Sequence, residues 1–285
     1  TVALDVAQHL DSDHDGVPNA ADHPIVFASS RTGHGDIYSV DPSGSSLKRL
    51  TTNNAVESDP AWSPSRTKIA FASTRDGNLE LYSMNADGSG VVRLTRDAHS
   101  DVAPAWSPDG TKIAFASDRA SGNWDVYVMN ANGTGVMRLT TTAGADLGPT
   151  WSPDGTKIAY ASAHTGNGDI YVMNANGTSQ TRLTTSAGID AEPDWAGTTI
   201  AFSSNRDGLL NFELYTMTQT GTAQTRRTNR AGLDGAPSWS ADGTKLVFAT
   251  NRYGVLNAEL GTINANGTGE TRLTTDPAID AAPDW

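Results

Sequence analysis

Residues 11–22 read Asp-Ser-Asp-His-Asp-Gly-Val-Pro-Asn-Ala-Ala-Asp. Oxygen donors fall at loop positions 1, 3, 5, 9 and 12, as Asp11, Asp13, Asp15, Asn19 and Asp22. Gly16 at position 6 permits a sharp turn, and Val17 at position 7 offers its backbone carbonyl. Hard oxygens at this spacing can wrap one calcium ion from a short segment. Asp22 stands where a glutamate is usual, and Pro24 follows almost at once, so no exiting helix is expected. A solvated acidic linker is the alternative reading. The five donor positions and the glycine favour calcium as the bound cofactor.

A second set of carboxylates stands five residues before each of six tryptophans: Glu57, Asp101, Asp146, Asp190, Asp234 and Asp280. Two such charges about 8 Å apart, at an effective dielectric of ~20, repel by roughly 2 kcal/mol. A bound cation would offset that. So would the arginine of a neighbouring loop (31, 75, 119, 206 or 252), or turn capping through backbone N–H groups. His99 lies two residues before Asp101, the closest approach of an imidazole to this set. His34 and His164 fall in loops of other repeats, and a zinc-type site needs two or three converging imidazoles. No serine sits in a nucleophile-elbow setting, and no glycine-rich turn opens a helix.

The elements that position these residues are repeats. Trp62, Trp106, Trp151, Trp195, Trp239 and Trp285 recur at spacings of 44, 45, 44, 44 and 46. Each repeat adds an apolar run such as Lys112-Ile113-Ala114-Phe115-Ala116-Ser117. An aromatic run such as Asp125-Val126-Tyr127-Val128-Met129 follows, then a short run ending Arg-Leu-Thr. Short β-branched and aromatic runs bounded by turn residues read as strands. Ser107-Pro108-Asp109-Gly110 and its copies turn the first into the second. Asn132-Gly133, Asn176-Gly177 and Asn266-Gly267 supply the positive φ that a tight hairpin between the third and fourth needs. Four antiparallel strands repeated radially make a propeller blade. Residues 25–51 hold only three strands, and the last five residues supply a lone first strand. Joining them closes the ring and removes two sheet edges. The fold class expected is all-β: a six-bladed propeller of four-stranded antiparallel blades, the first blade closed by the C-terminal strand. Residues 1–22 form the calcium-loop segment and residues 23–285 the propeller.

The pattern Asp-x-x-Pro-x-Trp-Ser-Pro-Asp-Gly-Thr-Lys-Ile-Ala-Phe-Ala-Ser at 101–117 resembles the repeat of TolB-like β-propellers. The resemblance covers about residues 23–285. The preceding segment resembles a thrombospondin type-3 or EF-like calcium repeat. The sequence departs from its own template in two places. Blade 5 has Ala196-Gly197-Thr198 in place of the Ser-Pro-Asp-Gly turn, and blade 4 has His164 in place of arginine. Resemblance to TolB implies protein–protein interaction on a propeller face. Some propellers resembling this family are polysaccharide lyases with clustered metal-binding histidines; no matching cluster is apparent here.

The loops between second and third strands vary from blade to blade, as binding surfaces do. They carry Trp124, His164, Phe212 and Tyr253, and the versions in blades 5 and 6 are longer and more apolar. These residues are candidates for a docking patch. With 20 basic against 32 acidic residues the net charge is −12, which disfavours nucleic acid and anionic membranes. No apolar run is long enough for a transmembrane helix. Cysteine is absent, which excludes thiolate chemistry and disulfides. The expectation is a secreted or periplasmic, monomeric, calcium-binding scaffold that takes a protein, peptide or carbohydrate at the channel mouth. The alternative is a metal-dependent carbohydrate lyase or hydrolase at the same mouth.

Overall fold

The computed structural model describes residues 23–120, 122–254 and 257–285. Twenty-four strands form six antiparallel four-stranded sheets. Blade 1 orders β24 (Asp280–Asp284), β1 (Ile25–Ser29), β2 (Asp36–Val40) and β3 (Lys48–Arg49). Blade 2 holds β4 (Glu57–Trp62), β5 (Lys68–Ser73), β6 (Glu80–Asn85) and β7 (Val92–Arg93). Blade 3 holds β8 (Asp101–Trp106), β9 (Lys112–Ala120), β10 (Asn123–Asn130) and β11 (Met137–Arg138). Blade 4 holds β12 (Asp146–Trp151), β13 (Lys157–Ser162), β14 (Asp169–Asn174) and β15 (Thr181–Arg182). Blade 5 holds β16 (Asp190–Ala196), β17 (Thr199–Ser204), β18 (Glu213–Thr218) and β19 (Thr225–Arg226). Blade 6 holds β20 (Asp234–Trp239), β21 (Lys245–Thr250), β22 (Glu259–Asn264) and β23 (Thr271–Arg272).

The ring closes as the repeat predicts. The C-terminal strand β24 pairs antiparallel with β1, aligning Val26 with Asp284 and Ser29 with Asp280. The calcium-loop ligands Asp11, Asp13, Asp15, Val17, Asn19 and Asp22 lie outside the described residues.

The core sits between blades. Strands such as Lys68–Ser73 are buried on both faces after their first residue, so they read as continuous apolar runs and do not alternate. Val26 and Ile37 of blade 1 pack with Trp62, Ile69, Phe71, Tyr82 and Met84 of blade 2. At the closure, Phe27, Tyr38 and Trp285 pack with Val247 and Leu260 of blade 6.

Each residue of Arg-Leu-Thr has its own task. Leu50, Leu94 and Leu139 are buried in the inter-blade clusters. The threonine hydroxyl accepts an N–H near the start of strand three (Ile37, Leu81, Val126, Ile170, Leu214 or Leu260), at 2.9 Å in all six blades. That bond satisfies a backbone donor where the two-residue outer strand ends. In the Asn-Gly hairpins only the glycine takes positive φ; at Gly133 it is +86°. A Cβ there would stand 2.4 Å from the carbonyl oxygen of Leu94 in the preceding blade. Glycine is therefore required by blade-to-blade contact as well as by the turn.

Candidate functional site

The loops entering each first strand and those linking strands two and three open at one end of the ring. All six sequence-predicted carboxylates are the first residues of their blades' inner strands at that end: Glu57, Asp101, Asp146, Asp190, Asp234 and Asp280. All are buried. Five meet the arginine two residues after the last serine or threonine of strand two in their own blade. Arg31 contacts both oxygens of Asp280 at 2.9 Å, and Arg206 those of Asp190 at 3.0 and 2.9 Å. Arg119 contacts Asp101 at 2.8 and 2.7 Å, while Arg75 and Arg252 pair with Glu57 and Asp234. Of the offsets weighed for this ring, arginine pairing is the one the structure displays.

A second ring escaped the sequence reading. Strand three of each blade carries a buried carboxylate, as its first residue in five blades and its third in blade 3: Asp36, Glu80, Asp125, Asp169, Glu213 and Glu259. Each pairs with the arginine of Arg-Leu-Thr, or of Arg226-Arg227-Thr228 in blade 5, with closest distances between 2.5 and 2.9 Å. The signal was present: carboxylate and arginine are 13 residues apart in every blade. Eleven of these twelve buried acids thus have an arginine partner among the described residues. Asp146 is the exception, because His164 replaces its arginine. Burial raises the Asp146 carboxyl above the ordinary range, opposed by the neighbouring Ser162, Thr140 and Thr142 hydroxyls and by the field of His164; the one hydrogen bond it receives among the described residues is a long one of 3.4 Å from Thr142. Burial raises Asp101 too, against its Arg119 contacts, so the two acids differ in geometry and not in the direction of their shift.

Among the described residues, Glu80, Asp97 and Asp101 are close enough together to share an ion. They are already compensated, since Arg119 spans Asp97 and Asp101 at 2.8 and 2.7 Å and Arg93 holds Glu80 at 2.9 Å. His99 turns its Nδ1 toward Asp97 at 3.5 Å. His34 is half-buried on blade 1 and His164 is exposed on blade 4. No imidazole belongs to the three-acid group.

Of the proposed surface patch, Trp124 and Phe212 are half-buried, while Tyr253 is 41% exposed. Among the described residues the most exposed apolar side chains of this end are Leu209 and Leu210, at 84% and 90%. Beside them runs a feature that the repeat conceals. The residue just before the inner-strand carboxylate is Ile189 in blade 5, Leu233 in blade 6, Ile279 in blade 1 and Val56 in blade 2, each 43–50% exposed. In blades 3 and 4 it is Ser100 and Ala145. Apolar side chains therefore line an arc over four consecutive blades. The opposite end holds two grooves of about 470 and 430 Å³, and the larger one runs past the Ala196-Gly197-Thr198 departure of blade 5.

These features define a six-bladed β-propeller with a double ring of buried acids at one end, all but Asp146 paired with arginine among the described residues, and a partly apolar rim around it. The family model described as the TolB beta propeller domain matches residues 17–102, 54–148, 95–178 and 141–231, and the chain belongs to that family. TolB from Acinetobacter baumannii has a similar structure, with a TM-score of 0.84 at 23% identity, covering 100% of this chain and 70% of that one. A putative TolB from Agrobacterium tumefaciens gives 0.73 at 22% identity, with 88% of each chain covered. A chain of a nidogen/laminin complex gives 0.73 at 11% identity, covering 92% of this chain and 97% of that one. No curated protein matches the sequence.

Proposed function

We propose that this propeller is a secreted or periplasmic scaffold that docks a polypeptide on the rim of blades 5, 6, 1 and 2. The observation that carries the reading is the apolar arc of Ile189, Leu233, Ile279 and Val56, extended by Leu209 and Leu210. Exposed aliphatic side chains repeated around a rim are a cost to a free soluble surface and a gain at an interface. The family's TolB members and the nidogen/laminin complex supply the setting, an extracytoplasmic one in which propellers meet proteins. The double ring of ion pairs keeps the rim rigid and leaves apolar contact as the main attraction. Calcium held by Asp11, Asp13, Asp15, Val17, Asn19 and Asp22 would stiffen the N-terminal segment beside the ring.

Site-specific photocrosslinking tests the docking surface. A photoreactive residue at Leu210 should give a discrete polypeptide adduct in an extracytoplasmic extract, lost when Ile189 and Leu233 are changed to Ser. The same label at Val136, at the other end of the ring, should give none; equal labelling from both ends would overturn the reading. For the ion, calorimetry on the chelated chain should show one calcium site that Asp13→Asn with Asp15→Asn removes.

A further inference from the structure

In five blades the guanidinium that meets the inner-strand carboxylate also lies on aromatic faces. Its distance to the strand-three tyrosine ring is 4.7 Å for Arg31, 4.6 Å for Arg75, 5.1 Å for Arg119 and 4.6 Å for Arg206. In blade 6, where strand three has Gly261, Arg252 lies 5.8 Å from Phe248. In blades 1, 2, 3 and 5 its Nε donates to the last serine of strand two, at 2.8–3.0 Å. The cradle therefore has three parts: a buried carboxylate, a serine hydroxyl and an aromatic pair.

Blade 4 keeps all three. Asp146 is fully buried, Ser162 ends strand two, and Tyr160 lies against Tyr171 with centroids 5.9 Å apart. What differs is the cation. His164 is exposed, and its Nδ1 stands 3.2 Å from the carbonyl oxygen of Ala143. Its backbone N–H still bonds the Ser162 hydroxyl at 3.2 Å, as the arginine N–H does at this position elsewhere. Among the described residues Asp146 Oδ1 has no hydrogen-bond partner, and Oδ2 receives only a long bond of 3.4 Å from Thr142. Other buried acids here also have one unpartnered oxygen, but each of those in the two rings has an arginine on the other.

We infer that the blade 4 cradle binds the guanidinium of an arginine side chain presented by a partner polypeptide, which enters beside His164. The chain itself shows four times, in blades 1, 2, 3 and 5, which group fits this geometry. Guanidinium is planar, stacks on rings and forks onto carboxylates, whereas an ammonium does neither. The loop beside the cradle is exposed at His164, Thr165 and Gly166, and nothing stands within 4 Å of a Cβ built at Gly166. The net charge of −12 draws a basic segment to the molecule. The polypeptide source of the group rests on the docking reading above; the cradle does not.

Calorimetric titration of the full chain with arginine amide tests it, with lysine amide as the comparison. Saturable binding of arginine amide, at least ~10-fold tighter than lysine amide, is expected; that factor is about 1.4 kcal/mol. His164→Arg should abolish the binding by supplying the group in cis, and Asp146→Asn should abolish it by removing the charge. No saturable binding in the parent, or binding unchanged in His164→Arg, overturns the site. So does a His164→Arg chain that melts below the parent, because the cradle would then reject its own guanidinium. A blocked Gly-Arg-Gly peptide that binds as tightly as arginine amide assigns the group to a polypeptide; exclusion of the peptide overturns that assignment. Crosslinks at Leu210 that persist while arginine amide fails sink this site alone. The reverse result sinks the docking surface alone.

Discussion

Blades 3 and 4 are two versions of one template. Strand two and the residues after it run Lys112-Ile113-Ala114-Phe115-Ala116-Ser117-Asp118-Arg119 in one and Lys157-Ile158-Ala159-Tyr160-Ala161-Ser162-Ala163-His164 in the other. Both bury the aspartate that opens strand one. Asp101 receives a forked guanidinium, whereas Asp146 receives a single long hydroxyl bond from Thr142. The inner half of the blade is built alike in both: strand one pairs with strand two through the same bulged register, with pairs Asp101–Ser117 and Asp146–Ser162, although β9 continues to Ala120 while β13 ends at Ser162. A buried ion pair is thus not what builds the blade. Packing between blades builds it, and a buried acid in a finished blade can be met by a cation or by hydroxyls and a raised proton affinity.

Several experiments would break or sharpen that contrast. The largest effect should come from packing. Removing residues 281–285 takes away the strand that pairs with β1 and the buried Trp285, exposing the edge of blade 1. Loss of a buried tryptophan alone costs about 3–5 kcal/mol, so the cooperative melt should collapse or shift down by more than ~10 °C. A melt unchanged by the truncation would refute closure as the source of stability.

Next comes the cation itself. Arg119→Ala strands the buried Asp101 and should cost about 3 kcal/mol in urea unfolding at pH 7. Asp146→Asn, in the blade built without that cation, should change stability by less than about 1 kcal/mol or raise it. Equal losses in the two variants would erase the distinction between the blades.

A third carboxylate extends the contrast into the inner strands. Asp284 has no salt bridge among the described residues, and burial pushes its carboxyl up to about 6, with Arg66 opposing. Its oxygen accepts the Trp62 N–H of the next blade at 2.7 Å. Between its unfolded value of 3.8 and about 6 the native chain holds a proton that the unfolded chain has lost. Its contribution is therefore fully present below the unfolded value and is lost as pH rises through about 6. The change is on the order of 3 kcal/mol. Asp284→Asn should flatten that slope in a pH series of denaturant midpoints; an identical slope would assign it to other groups. The smallest effect is a gain. His164→Arg should raise stability by about 1 kcal/mol by completing the blade 4 cradle, read as a higher urea midpoint.

Much of this architecture is legible along the chain because the repeat makes it so. The tryptophan period counts the blades, and the three-strand start with the lone last strand reveals the closure. The pairing of the first acid ring was readable as one of three possibilities, since acid and arginine share one end of each blade. The second ring was readable too, from a constant separation of 13, but attention to the tryptophan hides it. Other features had no such signal. The third residue of each inner strand takes positive φ: Asp59, Ala103, Gly148, Glu192, Ala236 and Ala282. Only one of the six is glycine, because the strand bulge imposes the conformation. The apolar arc also stays hidden, since an aliphatic residue before a strand looks like core until its exposure is known.

The sequence by itself determined the number of blades, their order, the closing strand and the acidity of the whole. Each is a property of residue types and their spacing, and the strand pattern cannot satisfy its backbone any other way. The tertiary structure alone decided which acids are neutralised and which apolar side chains remain on the surface. Coulomb energy and desolvation depend on distances of a few ångströms and on cover by other blades. Arg31 and Asp280 are 249 residues apart in the chain and 2.9 Å apart in space.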